Sequence, residues 1–209
     1  ERIEQRVMNA TTTWDDWSCY VRLTVTNPSV LEAARQQLTD LMADVERCSS
    51  RFVATSDISR VNEAPGRLLP VSRRTVALVD VALNAASKTS GLVDPTVGAH
   101  VIRAGYDGDI STVRGHMVET PVGVPPRRAD WQRVQVDRDL GRVGVPAGLV
   151  LDLGATAKAW TADTAAHTIS TSLNTGVLVE IGGDVAVAGH KQTPWQVHVS
   201  ETAGQAGEQ

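Results

Sequence analysis

Strand-like and helix-like stretches do not alternate regularly along this chain, and that ordering most constrains what it can fold into. Residues 19–26 read Cys-Tyr-Val-Arg-Leu-Thr-Val-Thr, the period of a half-buried strand. Asn27-Pro28-Ser29 is a helix-start signal, and Leu31, Leu38, Leu41, Met42 and Val45 then recur at helical spacing to about Cys48. Residues 56–60 predict a short helical turn, and Pro65-Gly66 a chain reversal. Ser72 caps a second long helix with Val76, Leu78, Val79, Val81, Ala82 and Ala85 on its apolar face, closing near Thr89-Ser90-Gly91. Residues 131–145 predict two strands around a tight turn at 137–141, residues 149–151 a short buried strand, and residues 155–170 a helix. Two apolar runs, 177–181 and 185–187, are joined at Gly182-Gly183-Asp184, and residues 195–199 start one more strand. This succession lacks the alternation of a doubly wound sheet, so the predicted class is α+β, with mixed sheets and packed helices.

Length and charge narrow the function classes. A chain of 209 residues with 42% hydrophobic content can bury a core as one domain or two small lobes. A net charge of -4 and a pI near 5.7 supply no basic face for nucleic acid. No apolar stretch approaches the ~20 residues that cross a bilayer. Cys19 and Cys48 are the only cysteines and lie far apart, which favours two small buried side chains over a disulfide. Residues 104–130, rich in Gly, Pro, Asp and Arg, are expected to form a long surface loop. Residues 201–209 read as a polar tail cut short, so the chain is expected to be a single domain, 1–209, truncated at its C-terminus.

Three clusters stand above this background. In Gly91-Leu92-Val93-Asp94-Pro95-Thr96-Val97-Gly98, Asp before Pro is a good helix N-cap, and a capped helix alone accounts for these residues. In Leu151-Asp152-Leu153-Gly154-Ala155-Thr156-Ala157-Lys158, an acidic group leaves a buried strand and meets small residues at a helix start. That pattern suits a phosphate ligand, with Lys158 one turn on, or equally a tight strand-to-helix junction. It is neither G-x-G-x-x-G nor a P-loop. The glycines of Glu180-Ile181-Gly182-Gly183-Asp184 serve a sharp turn, or the close approach of a ligand.

In their order and with their flanks, these clusters resemble the ApbE family of FAD-dependent protein FMN transferases, in the form typical of actinobacteria. The match includes Ser50-Arg51-Phe52, Ser56-Asp57-Ile58-Ser59-Arg60-Val61-Asn62, the 89–98 segment, Gly105-Tyr106-Asp107, the 151–158 segment and Glu180-Ile181-Gly182-Gly183-Asp184. It implies transfer of FMN from FAD to a Ser or Thr hydroxyl of an acceptor flavoprotein, with magnesium, releasing AMP. It implies an FAD cleft between lobes. Phe52 takes the place of an aromatic lying against the flavin nucleotide. Leu92, Val93 and Asp94 match an FAD-contacting stretch, and Asp152 matches an FAD-contacting aspartate. Lys158 falls where a side chain reaches the cofactor, and Ala155 where a main-chain carbonyl helps bind magnesium. Trp17 sits where the family's Met-Gly-Thr segment begins, although this chain reads Trp17-Ser18-Cys19.

Two departures qualify the carry-over. Ala159 stands where the family usually has Gly. The segment that supplies the family's catalytic histidine and remaining magnesium ligands has no counterpart in these residues, so no catalytic residue is assigned here. FAD pyrophosphatase activity, giving FMN and AMP, is the nearest rival, and a non-catalytic FAD-binding protein is the other. Membrane contact is expected only through the acceptor, and the compartment is left open: either the cytoplasm or the outer face of the cytoplasmic membrane.

Overall fold

The computed structural model describes residues 9–106, 108, 130–191 and 193–197. These fall into two compact units, one of the described residues up to 42 together with those from 158 onward, the other of those between 43 and 157. The α+β class holds, and both sheets are antiparallel wherever strands pair.

The first unit is built on a four-stranded sheet in the order β1-β2-β6-β7. Its strands are β1 (Ala10–Asp16), β2 (Cys19–Val25), β6 (Val177–Ile181) and β7 (Asp184–Ala188). Register explains which side chains are buried. Val21, Leu23 and Val25 of β2 oppose Ile181, Val179 and Val177 of β6, and all six are fully buried. The intervening residues point the other way, where Arg22 opposite Glu180 makes a 3.6 Å ion pair. Onto the apolar face pack Ala34, Leu38 and Met42 of α1 (Leu31–Ser49) and Ala162, Ala165, Ala166 and Ile169 of α5 (Gly154–Leu173). Small alanines on α5 bring that helix close to the strands, while each fully buried Leu or Ile contributes about 1.5–3 kcal/mol.

The second unit holds α2 (Asp57–Glu63), α3 (Arg73–Lys88), α4 (Gly98–Arg103) and a small sheet in the order β3-β5-β4. Its strands are β3 (Leu69–Pro70), β4 (Gln135–Asp137) and β5 (Arg142–Gly144). Ser56 caps α2 by accepting from the Ser59 amide, and Ser72 caps α3 by accepting from the Thr75 amide. Past α3, Ser90 and Gly91 both adopt the left-handed conformation, as the Thr89-Ser90-Gly91 stop signal predicts.

Several expectations are corrected. Residues 10–16 form an edge strand that apolar alternation does not reveal, because a run of threonines fills it. On α3 the buried face carries Thr75 and Ala86, whereas Val81 and Ala85 are only half-buried. Trp131 lies in a 3-10 turn, Trp131–Arg133, ahead of β4. Residues 149–151 are not a strand: Val150 makes one isolated parallel bridge to Val97. No strand starts at 195–197, and residues 198–199 lie outside the described residues. Of the loop expected over 104–130, residues 107 and 109–129 lie outside them too. Cys19 and Cys48 are free thiols, as expected. No described helix is long and apolar enough to cross a membrane.

Candidate functional site

Within the second unit, segments far apart in sequence meet without regular sheet structure. The Asp152 amide donates to the Pro95 carbonyl at 2.8 Å, and the Gly98 amide to the Val150 carbonyl at 3.0 Å. Two of the clusters singled out from sequence therefore run side by side. Gly98 makes the approach possible, since a Cβ there would stand 2.7 Å from the Val150 carbonyl oxygen. A third segment pins them. The Asn62 side chain donates to the Leu151 carbonyl at 3.0 Å and accepts from the Leu151 amide at 2.8 Å, completing both backbone bonds as a neighbouring strand would.

On this frame sit two carboxylates with opposite states. Asp94 does not cap a helix, contrary to the sequence expectation. Its Oδ1 accepts from the Thr96 amide at 2.8 Å and the Thr96 hydroxyl at 2.7 Å, which closes a local turn. The helix begins later, at Gly98, with no side-chain cap from Val97. Asp94 is 9% exposed, and its Oδ2 is buried with no hydrogen-bond partner among the described residues. A buried carboxylate oxygen without a donor carries a desolvation cost that a ligand N–H or O–H would relieve. Asp152, by contrast, is engaged on both oxygens: Oδ1 accepts from the Gly154 amide at the start of α5, and Oδ2 from Arg51 Nε at 2.6 Å.

Phe52 follows Arg51 and is 43% exposed, with its ring 5.4 Å from that of Tyr106 in an edge-to-face pair. Leu92 is 90% exposed, while Val93 is half-buried and its amide donates to the Thr89 hydroxyl. Of the site residues predicted for this unit, Phe52 and Asp152 thus come together through Arg51, and Asp94 is joined to Asp152 through the Pro95 backbone. Ala155 is exposed in the first turn of α5.

Trp17 and Lys158 belong to the first unit. There the tips of two hairpins lie at the same end of the sheet. Trp17 and Ser18 link β1 to β2, with φ of 48° and 55°. Gly182 and Gly183 link β6 to β7, with φ of 60° and 95°. Paired left-handed residues match the twist of two-residue hairpins, a conformation glycine adopts freely and tryptophan at a cost. Lys158 reaches this end: a Cβ on Gly182 would lie 3.5 Å from its Nζ and 3.1 Å from the Cys19 sulfur. Burial pushes the Cys19 thiol up from its ordinary range, against the opposing influence of Lys158, with Asp16, Asp184 and Asp15 adding to the rise.

Sequence reasoning gave no role to Arg51, Asn62 or Tyr106, although each lies inside a quoted motif. It also passed over His100 on α4, whose two ring nitrogens are buried without a partner among the described residues. A polar side chain inside an otherwise apolar helical run was the available signal. Among the described residues no group of three or more His, Cys, Asp or Glu is placed to hold a metal ion. One carbonyl at Ala155 falls short of the oxygen ligands that magnesium requires, so these residues do not by themselves form its site.

Residues 17–208 match the model of the ApbE family. The FAD:protein FMN transferase of Treponema pallidum is 28% identical over 184 residues, 83% of this chain and 49% of that protein. The chain thus spans about half the length of the curated relative it matches. A crystal structure of the ApbE protein of Thermotoga maritima superposes with a TM-score of 0.77 at 25% identity, covering 94% of this chain and 65% of the other. The flavin transferase ApbE of Vibrio cholerae has a like fold, with a TM-score of 0.74 at 20% identity, covering 92% and 63%.

Proposed function

The chain belongs to the ApbE family, and from that premise we propose that it serves the transfer of FMN from FAD to a Ser or Thr hydroxyl of an acceptor flavoprotein, with release of AMP. The supporting observation is the buried, unpartnered Oδ2 of Asp94, at the junction of the two clusters. A carboxylate there does not suit the pyrophosphate of a dinucleotide, whose ionised oxygens only accept. It suits the hydroxyl and N–H donors of a nucleotide's sugar and base portions. Phe52 supplies an exposed aromatic face for a ring system, which we assign to the flavin nucleotide. We assign Asp94, with Leu92 and Val93, to FAD contact, and Asp152 likewise, held in place by Arg51 and the Gly154 amide. In the first unit, Lys158 supplies a cation for the phosphates, and Trp17 a contact at the hairpin tip.

The chemistry divides into what these residues do and what they leave to others. In transfer, the acceptor hydroxyl oxygen bonds to the FMN phosphorus, the pyrophosphate bridge breaks, AMP leaves with that bridging oxygen, and the hydroxyl proton passes to a base. Negative charge grows on the phosphate oxygens, and a fixed cation such as Lys158 lowers its energy. Magnesium would supply further neutralisation when bound. Ala155 is proposed as one carbonyl ligand, and nothing above depends on it. The described residues bind and orient the dinucleotide, and we assign none of them as the base. We treat residues 1–209 as a single ApbE-like domain in this reading.

Intact mass spectrometry of an acceptor domain, incubated with FAD, magnesium and the protein in its full-length form, tests the proposal. A gain of one FMN per acceptor is the expected result. AMP release without mass gain would replace transfer by hydrolysis of FAD, and retention of FAD without reaction would leave a binding protein.

A further inference from the structure

Arg51 is heavily engaged for a charged side chain, and its hold on Asp152 is only part of what it touches. Its side chain is 7% exposed. Nε donates to Asp152 Oδ2 at 2.6 Å across 101 residues of sequence, and Nη2 donates to the Tyr106 carbonyl oxygen. The guanidinium also lies over aromatic rings. Its carbon lies 4.2 Å from the centroid of the Phe52 ring and 4.7 Å from that of Tyr106. One planar cation thus joins a carboxylate, a backbone carbonyl and two aromatic rings that stand 76° apart.

We infer that Arg51 is a positioning residue for flavin-nucleotide binding: its guanidinium fixes the Asp152 carboxylate and backs the Phe52–Tyr106 aromatic pair. The inference rests on the FAD reading given above. Two arguments support it. A guanidinium presents N–H groups in its plane and a weakly hydrated face on each side, so it can hold a carboxylate edge-on while lying against a ring; an ammonium, a compact and strongly hydrated point charge, can do either but has no plane with which to do both at once. Secondly, Phe52 remains 43% exposed although Arg51 lies against it. A ring that is held by a buried cation and still presents surface is a pre-organised platform, which reduces the ordering cost a ligand meets on binding. Arg51 touches no reacting atom in this account. It acts through Asp152, Phe52 and Tyr106.

The test is FAD titration of the full-length protein by flavin fluorescence, on wild type, Arg51→Lys, Arg51→Gln, Phe52→Leu and the Arg51→Lys/Phe52→Leu double variant, with thermal unfolding of each. Lysine keeps the charge and an ion pair to Asp152 but not the stacked plane. Its Kd for FAD is expected to rise about ten-fold, because a ring and a carboxylate no longer held in place must be ordered on binding. In the Phe52→Leu background the same substitution should change Kd by less than about two-fold, because the exposed ring that Arg51 backs is gone. An unchanged Kd for a folded Arg51→Lys protein overturns the inference, as does a full ten-fold loss that persists without Phe52. A loss of Tm with unaltered Kd in both Arg51 variants would make the residue purely structural. If wild type itself fails to bind FAD, the FAD reading falls first and takes this inference with it.

Discussion

The two units carry their marked residues on opposite kinds of support. In the first, Trp17, Gly182 and Gly183 sit at the turns of an uninterrupted antiparallel ladder, in which every strand is paired along its length. In the second, residues 93–97 and 149–153 have no ladder beyond the bridge of Val97 to Val150, and individual side chains hold them. A ladder spreads the cost of any one lost contact over many bonds. A segment closed by Asn62, Asp94 and Asp152 concentrates it in single atoms. Fragility to substitution should therefore be far greater in the second unit.

Asn62→Ala is the strongest test of that contrast. It removes both bonds to Leu151 and leaves a buried backbone N–H and C=O unpaired, which should cost about 2–4 kcal/mol in denaturant unfolding. A loss as small as that of an exposed polar side chain would erase the distinction. Gly98→Ala follows, because the new Cβ meets backbone and the Val150 side chain within 2.8 Å, neither of which yields cheaply. We expect about 1–3 kcal/mol by the same assay. At the hairpin tip, Gly183→Ala meets nothing within 4 Å, and only its φ of 95° opposes a side chain, so roughly 1 kcal/mol is expected. A Gly183 effect equal to that of Asn62 would break the comparison from the other side.

The smallest effect concerns pH. Burial raises the Cys19 thiol in the folded chain, so the fold favours its neutral form. That contribution is complete below the unfolded thiol value, ordinarily 9.0, and is lost as pH rises from there through the higher folded value. Wild-type stability should accordingly fall slightly above pH 9, and Cys19→Ser, which does not titrate there, should flatten the curve. Parallel curves for the two proteins would show that the thiol is not the group responsible.

What is legible in the sequence is what burial repeats along it, in both units. Periodicity found β2, α1, α3, α5 and the β6–β7 turn, because burial of an apolar stripe against a neighbour leaves a repeat in the residues themselves. Residues 10–16 escaped because an edge strand need bury only alternate, partly polar side chains. The run Leu149-Val150-Leu151 looked like a strand for a sound reason: Leu149 and Leu151 are buried, but the partner to Leu151 is a side chain rather than a strand, and no local pattern records that. Asp94 closes a local turn instead of capping a helix, since Asp-Pro-Thr serves the one as readily as the other. Arg51 stayed invisible as a functional group because its partners, Tyr106 and Asp152, lie 55 and 101 residues away. Its position within Ser50-Arg51-Phe52 said nothing of them.

The clamp on Leu151 also bears on how this region would look to solvent. The amides of Leu151 and Asp152 are satisfied by Asn62 and by the Pro95 carbonyl in turn. Deuterium would therefore enter a stretch with no regular secondary structure as slowly as it enters a strand. Its exchange would also quicken at once wherever Asn62 lets go, so a protection map would register the opening of one side chain as the melting of an element.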